Sequence, residues 1–259
     1  MGLVIEAACG CHTGKVRKNN EDNVFFGGKC LEEVHDSLEK PLSICIPAKS
    51  RPCFAVFDGM GGENFGEIAS YTAAHRMQRA GKTLISDWMP PEKYLNKLTI
   101  RLNNAVVRRE NELQTNRMGT TMVTLYFTAQ SVFSCNVGDS RAYRLRDGEL
   151  LQISVDHLEV NPRRPDRKAP LTQHLGIDPM YMMIEPYVEK YELKHGDQYL
   201  LCSDGLTDML TDMEISDIMK RAGNLEECTE TLIQTALTHG GRDNITVIVC
   251  SVAEKEGQR

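Results

Sequence analysis

In this chain acidic residues meet glycine at the ends of short apolar runs. Phe54 to Phe57 leads into Asp58-Gly59-Met60-Gly61-Gly62, Val132 to Val137 into Gly138-Asp139-Ser140-Arg141, and Tyr199 to Cys202 into Ser203-Asp204-Gly205. Asp243-Asn244 immediately precedes the last apolar run, and Glu21-Asp22 precedes Val24-Phe25-Phe26. A single Asp-Gly pair marks a turn, but its repetition at so many apolar ends makes independent turns a poor account. Each run delivers a carboxylate to its end, and the neighbouring glycine lets backbone or ligand approach closely. Carboxylates that converge without intervening bases repel one another, and a hard divalent cation is the usual resolution. No His or Cys with ligand spacing accompanies them, so Mg2+ or Mn2+ is expected rather than zinc.

Other chemistries fail on spacing. Gly10 to Lys15 looks like a phosphate-binding loop but is one residue short, with Val16 where Ser or Thr is needed. Gly59-Met60-Gly61 lacks the third glycine of a dinucleotide loop, Asn64 standing in its place. Asp58 to Glu63 lacks the alternating acids of an EF-hand loop.

The elements that must position these acids read as strands and helix pairs in alternation. Period-two apolar runs at Leu3 to Ala8, Val24 to Phe26, Leu42 to Ile46 and Cys53 to Phe57 predict strands. Asn64 with Glu67 forms a capping-box pattern for a first helix, and Pro90-Pro91 opens a second that runs towards Asn116. Strands follow at Thr120 to Phe127, Val132 to Val137, Ala142 to Leu145 and Glu149 to Ile153, with Arg146-Asp147-Gly148-Glu149 as a tight hairpin. Val155 to Leu175 carries Pro162, Pro165 and Pro170 among many charges and reads as a loop or flap. Strands resume at Ile184 to Leu193 and Gln198 to Cys202. Thr211 with Glu214 is a second capping box, for a helix closed by Gly223; Asn224 caps another, closed by Gly240-Gly241. The last strand is Ile245 to Val252. Two sheets sharing a core, with helices outside, form one domain over residues 1–259.

Composition sets the bounds. With 259 residues, 41% hydrophobic and 25% charged, the chain is an ordinary globular one, and disordered or fibrous classes drop out. A net charge of -6 argues against a phosphate backbone as the main ligand, so no nucleic-acid partner is expected. The most apolar run, Ile245 to Ala253, is far too short to span a bilayer. The N-terminus has no secretory pattern, and Glu6 breaks the myristoylation pattern. The nine cysteines include no C-x-x-C pair. Cys45, Cys53, Cys135, Cys202 and Cys250 lie in apolar segments and read as small buried hydrophobes. The expectation is a reduced, cytoplasmic monomer without a membrane partner.

At the acidic ends the chain resembles the metal-dependent protein serine/threonine phosphatases, the PPM or type 2C family, in its compact bacterial-type form. The matching blocks are RKNNED (Arg17 to Asp22), FAVFDGMGG (Phe54 to Gly62), MGTT (Met118 to Thr121) and NVGDSRAYRLRDG (Asn136 to Gly148). LLCSDGLTD (Leu200 to Asp208) and GGRDNITVIV (Gly240 to Val249) complete the set in family order. The resemblance implies an α+β fold: a four-layer αββα sandwich of two antiparallel sheets between helix pairs. It implies that Asp58 bridges two metals, that Asp204 and Asp243 hold the first, and that Glu21 and the Gly59 carbonyl hold the second. Asp22 would orient the attacking water, Asp139 would serve a third, weaker metal, and Arg17 would clamp the substrate phosphate. The implied chemistry is in-line attack on phosphoserine or phosphothreonine by a water bridging two Mn2+ or Mg2+ ions. The implied partners are phosphorylated proteins, among them a cognate Ser/Thr kinase and its substrates.

The sequence departs from the family pattern in places. Met60 stands where many members carry a histidine proposed as general acid, so the proton donor to the leaving group is not legible; His157 and His174 read as structural. Lys29 to Ser50 lengthens the region between the first two blocks and reads as a surface excursion. The flap is short and basic, with Arg163, Arg164, Arg167 and Lys168 around Asp166. Two other readings stay open: an inactive interaction protein of the same fold, and a hydrolase of small phosphate metabolites. The presence of Glu21, Asp58, Asp204 and Asp243 together favours activity.

Overall fold

Apolar runs become the strands of two antiparallel sheets in a computed structural model that describes residues 2–60, 65–80, 89–115, 118–159 and 169–254. The first sheet comprises β1 (Leu3–His12), β3 (Leu42–Pro47), β8 (Arg141–Arg146), β9 (Glu149–Gln152), β11 (Gln198–Cys202) and β12 (Ile245–Glu254), in the order β3-β1-β12-β11-β8-β9. The second comprises β2 (Asp22–Phe25), β4 (Cys53–Met60), β6 (Met122–Phe127), β7 (Ser131–Val137) and β10 (Tyr187–Glu192), in the order β10-β7-β6-β4-β2. The short β5 (Gly119–Thr120) pairs with the end of β4.

Three apolar layers hold the stack. Ile5, Cys9, Val56, Leu125, Phe127, Leu201 and Ile248 pack between the two sheets. Helices α1 (Gly66–Ala80) and α2 (Pro91–Leu113) lay Ala73, Met77, Leu98 and Leu102 onto the second sheet, against Ala55, Phe57 and Cys135. Helices α4 (Asp212–Arg221) and α5 (Leu225–Thr238) lay Ile215, Met219, Leu232 and Ala236 onto the first, against Leu200, Val247 and Val249. Alternate residues of β12 and β11 thus face opposite layers, as the two-residue period of a strand requires. The arrangement is the expected four-layer αββα sandwich. No helix among the described residues is long and apolar enough to cross a membrane.

Local signals hold where they carry their own chemistry. Thr211 and Glu214 form the reciprocal capping box, and the Asn224 side chain accepts from the Glu227 amide. Asp147 and Gly148 take φ 52 and 80, the left-handed pair of a tight hairpin. Elsewhere the structure corrects the sequence reading. The strand expected over Thr120 to Phe127 breaks at Thr121 into β5 and β6, because Thr121 turns its amide onto the Asp58 carbonyl. α4 stops with Ala222 in an extended conformation, so Gly223 does not close it by a left-handed turn. Cys45 is exposed, not buried: β3 is an edge strand with β1 on one side only, and most of it is solvated. The Lys29 to Ser50 excursion contributes this strand, and its Leu31 amide and Leu31 and Glu32 carbonyls bond the Asn23 side chain. Asn64, the basic residues of the flap, and Gly61 and Gly62 lie outside the described residues.

Candidate active site

Register brings the first acids together. β2 and β4 run antiparallel with Asp22 opposite Asp58, so their Cα atoms stand about 5 Å apart. The Gly59 amide donates to the Glu21 carbonyl at 3.0 Å. A Cβ on Gly59 would strike the carbonyls of Gly66 and Glu21, and one on Gly66 would lie 2.8 Å from Glu21 Oε2 and 3.0 Å from the Gly59 carbonyl oxygen. Only bare backbone lets the first residue of α1 approach the Glu21 carboxylate and the Gly59 carbonyl, the pair expected to serve one ion. β4 itself runs through Asp58 and Gly59 to Met60, further than the apolar pattern alone indicates, because β5 pairs with its end.

A second convergence comes from the first sheet. Asp204 opens a short helix, α3 (Asp204–Thr207), directly after β11, and a Cβ on Gly205 would collide with the Asn244 carbonyl. The loop before β12 is thereby pressed against the end of β11, which brings Asp243 and Asp204 to the same rim. Buried Asn244 locks this rim to the N-terminal segment: its Nδ2 donates to the Thr13 and Asn19 carbonyls at 2.8 and 3.0 Å, and its Oδ1 accepts from the Glu21 amide at 2.8 Å. Arg17 Nη2 donates to Asp243 Oδ2 at 2.7 Å. That bond, with Glu21 and Asp58 nearby, raises the Arg17 guanidinium further above its usual value.

The MGTT block couples the remaining acid to Asp58. Thr121 Oγ1 accepts from the Asp58 amide at 3.0 Å and lies 2.7 Å from Ser140 Oγ, while Thr120 Oγ1 and the Thr121 amide donate to the Asp58 carbonyl. Gly138, at φ 98, packs on the Thr121 side chain with no room for a Cβ. The β7–β8 turn carrying buried Asp139 is thus bolted to the strand end that carries Asp58. Arg141, the first residue of β8, forms a fork with Asp156 and serves the scaffold. His157 accepts from the Gly138 amide, and burial lowers its pKa, in keeping with a structural role.

The electrostatics are those of crowded acids. Burial, reinforced by Asp243 and Glu21, pushes the Asp22 carboxyl up to about 7, although Thr246 and Ser203 bond it, the latter through Oγ at 2.8 Å. Burial also raises the Glu21 carboxyl; Arg17 opposes the shift, and Glu67 and Asp243 add to it. The donors are carboxylates and a bare carbonyl, hard oxygen ligands suited to Mg2+ or Mn2+, with Arg17 among them. Among the described residues no three His, Cys, Asp or Glu side chains already stand as a closed ligand group.

Glu21, Asp22, Asp58 and Gly59 therefore meet at one strand pair, and Asp204, Asp243 and Arg17 on the adjoining rim, with Asp139 tied in through Thr121. The sequence reading gave no role to Thr121, Ser203 and Asn244. Each is a polar residue inside or beside a matched block, and that was the available signal.

Residues 36–239 match the family model for Protein phosphatase 2C. The chain is 32% identical over 269 residues to serine/threonine protein phosphatase PstP of Mycobacterium tuberculosis, covering 97% of this chain and 46% of that protein. It is 32% identical over 251 residues to serine/threonine phosphatase stp of Listeria monocytogenes, covering 91% of each. The crystal structure of the catalytic domain of PstP in complex with 2 manganese ions matches with a TM-score of 0.77 at 29% identity, over 97% of this chain and 100% of that one. PppA of Pseudomonas aeruginosa matches with a TM-score of 0.77 at 27% identity, over 96% of this chain and 99% of that one.

Proposed function

The chain belongs to the protein phosphatase 2C family, and from that membership we propose that it is a metal-dependent phosphatase of phosphoserine and phosphothreonine in proteins. The observation that carries the proposal is the crowding of Glu21, Asp22 and Asp58 at the paired ends of β2 and β4, with burial and neighbouring acids raising two of the three. A fold that holds acids this way is relieved by cations. Asp58, Asp204 and Asp243 would hold one, Asp58 with Glu21 and the Gly59 carbonyl a second, and Asp139 a third. Divalent cations, when bound, supply the charge that acidifies water and offsets the phosphoryl oxygens.

The remaining steps belong to the protein. Asp22, held from behind by Ser203, orients the attacking water. Arg17 sits beside Asp243, where its planar fork is suited to exchange one carboxylate oxygen for phosphoryl oxygens. Met60 carries no transferable proton, so the leaving group takes its proton from another source. The whole chain acts as one catalytic unit on phosphorylated proteins, a kinase and its substrates among them.

The test is hydrolysis of an aryl phosphate beside a phosphothreonine peptide, with Mn2+ or Mg2+ and then with excess chelator. Turnover of both that stops on chelation is the expected result. Undiminished turnover in chelator sinks the metal-dependent reading, and turnover of neither substrate favours an interaction protein.

A further inference from the structure

The outer surface of the α1–α2 layer carries a second charged feature of opposite sign. A groove of about 560 Å³ between the two helices is lined by Arg76, Arg79, Arg101, Arg108 and Arg109. On α1, Thr72, His75, Arg76 and Arg79 fall at helical spacing on one face; on α2, Arg101, Ala105 and Arg108 do the same. Ala73, Met77, Leu98 and Leu102 point the other way into the core, so the arginines are not there to cover it. Two glutamates, Glu33 and Glu112, also line the groove, and Arg109 reaches Glu112 at 3.4 Å. Among the described residues, Arg76, Arg79, Arg101 and Arg108 make no ion pair.

Like charges on neighbouring helical turns repel, and here they persist in a protein of net charge -6. All the lining cations are arginine, although lysine is common elsewhere in the chain. Arginine's weakly hydrated planar fork favours bidentate contact with carboxylates, where lysine offers only a point charge. Thr72, Asn104 and Ala105 also line the groove; their small size leaves room for a backbone, and the first two offer it hydrogen-bonding groups. Tyr71 and His75 stack with ring centroids 5.2 Å apart and set a flat wall.

We propose that the α1–α2 groove is a docking site for an acidic segment of a protein partner, bound in an extended conformation. From Arg101 to Arg108 the basic stripe runs about 10 Å along the helix, the length of about three extended residues. The two glutamates make a continuous polyphosphate a poor fit but tolerate acidic side chains spaced along a peptide. The groove is concave between helix ridges, so a flat anionic membrane does not reach its floor.

The docking is independent of turnover and is tested by binding. A short fluorescent peptide carrying a run of Asp and Glu is titrated with the full chain, and anisotropy is read from about 0.05 to about 0.5 M salt. The expected result is saturable binding that weakens with salt and loses at least about tenfold in Kd in the Arg101→Glu/Arg108→Glu variant. The Arg101→Lys/Arg108→Lys variant keeps the charge and is expected to lose less, because it loses only the fork. Hydrolysis of an aryl phosphate by both variants reports that they are folded; if no form of the chain turns it over, circular dichroism serves instead. Equal Kd for the original and the charge-reversed chain overturns the site. Tighter binding of a single-stranded RNA or of anionic vesicles than of the peptide, lost in the same variant, overturns the class of partner.

Discussion

β11 has an aspartate off each end, and the two ends of the sandwich treat buried acids in opposite ways. Before the strand stands Asp197, 1% exposed; at the other end lies the acid cluster, where Asp22 is also 1% exposed. Burial alone would raise Asp197, but a two-pronged Arg146 at 2.6 and 2.7 Å, the Lys194 amide and the Tyr199 hydroxyl hold it below the usual carboxylate range. Among the described residues the Asp22 carboxyl has Ser203 and Thr246 but no base, and burial with Asp243 and Glu21 carries it up to about 7. The same residue type, equally buried, is a stabilised carboxylate at one end and a disfavoured one at the other. The difference is the partner set: a guanidinium, an amide and a hydroxyl answer Asp197, whereas two hydroxyl-bearing residues answer Asp22 while other acids stand beside it.

Breaking the cluster is expected to have the largest effect. Asp58→Asn removes the charge at the centre of the proposed metal pair and is expected to lower kcat by about 10²-fold or more in saturating Mn2+. An unchanged kcat would take Asp58 out of the site. At the opposite end the effect moves from turnover to stability. Asp197→Asn leaves Arg146 without a charged partner and is expected to cost about 2–3 kcal/mol in urea unfolding, with kcat untouched. A carboxyl held below its usual value stabilises the fold above the unfolded-chain pKa of about 4, and that contribution is lost as pH falls through the lower folded value. The stability gap between original and variant should therefore narrow in acid and stay constant above pH ~5. A gap that widens in acid would contradict the assignment.

The contrast between the ends explains what was legible in the sequence. The strands, the helix pairs and the acids at strand ends follow from period and from residue type, and both are local. Asp197 gave no signal of its own, because its meaning lies in Arg146, a residue far away in sequence that only the β8–β11 pairing brings alongside. Asn244, Ser203 and Thr121 escaped for the same reason: each holds an acid from another block, and side-chain bonds between blocks have no period. Cys45 was misread because an apolar run says nothing about whether its strand lies at an edge. The basic groove was invisible because neither helix is strongly basic alone, and the charge gathers only where the two faces meet.

Arg17 sharpens the comparison as a base that bonds one of the clustered acids. Unlike Arg146, whose side chain is 19% exposed, Arg17 is 47% exposed and bonds its acid through a single nitrogen. A loosely held guanidinium is available to a phosphate. Arg17→Ala is expected to raise KM for a phosphothreonine peptide about tenfold with a smaller change in kcat, since the proposed phosphate contact would form before the transition state. An unchanged KM for peptide and aryl phosphate alike would return Arg17 to the scaffold.

The smallest expected effect is the most diagnostic. Asp22→Asn keeps the volume and the acceptor for Ser203 Oγ but deletes a charge that burial, Asp243 and Glu21 all disfavour. In chelator, the variant should therefore be more stable than the original by about 1 kcal/mol, a melting temperature about 2–4 °C higher for a chain of this size. The sign follows from the raised carboxyl: folding favours the protonated form, so the original chain loses stability as pH climbs from about 4 through about 7, and the asparagine variant does not. The gain should vanish below pH ~4, where Asp22 is neutral folded or unfolded. With Mn2+ present the same variant should turn over more slowly, because the group proposed to orient water is gone. A site residue that raises metal-free stability when neutralised and lowers turnover when metal is supplied behaves opposite to Asp197 on both measures. If Asp22→Asn instead melts lower in chelator, Asp22 is a structural acid like Asp197, and the strain attributed to the cluster lies elsewhere.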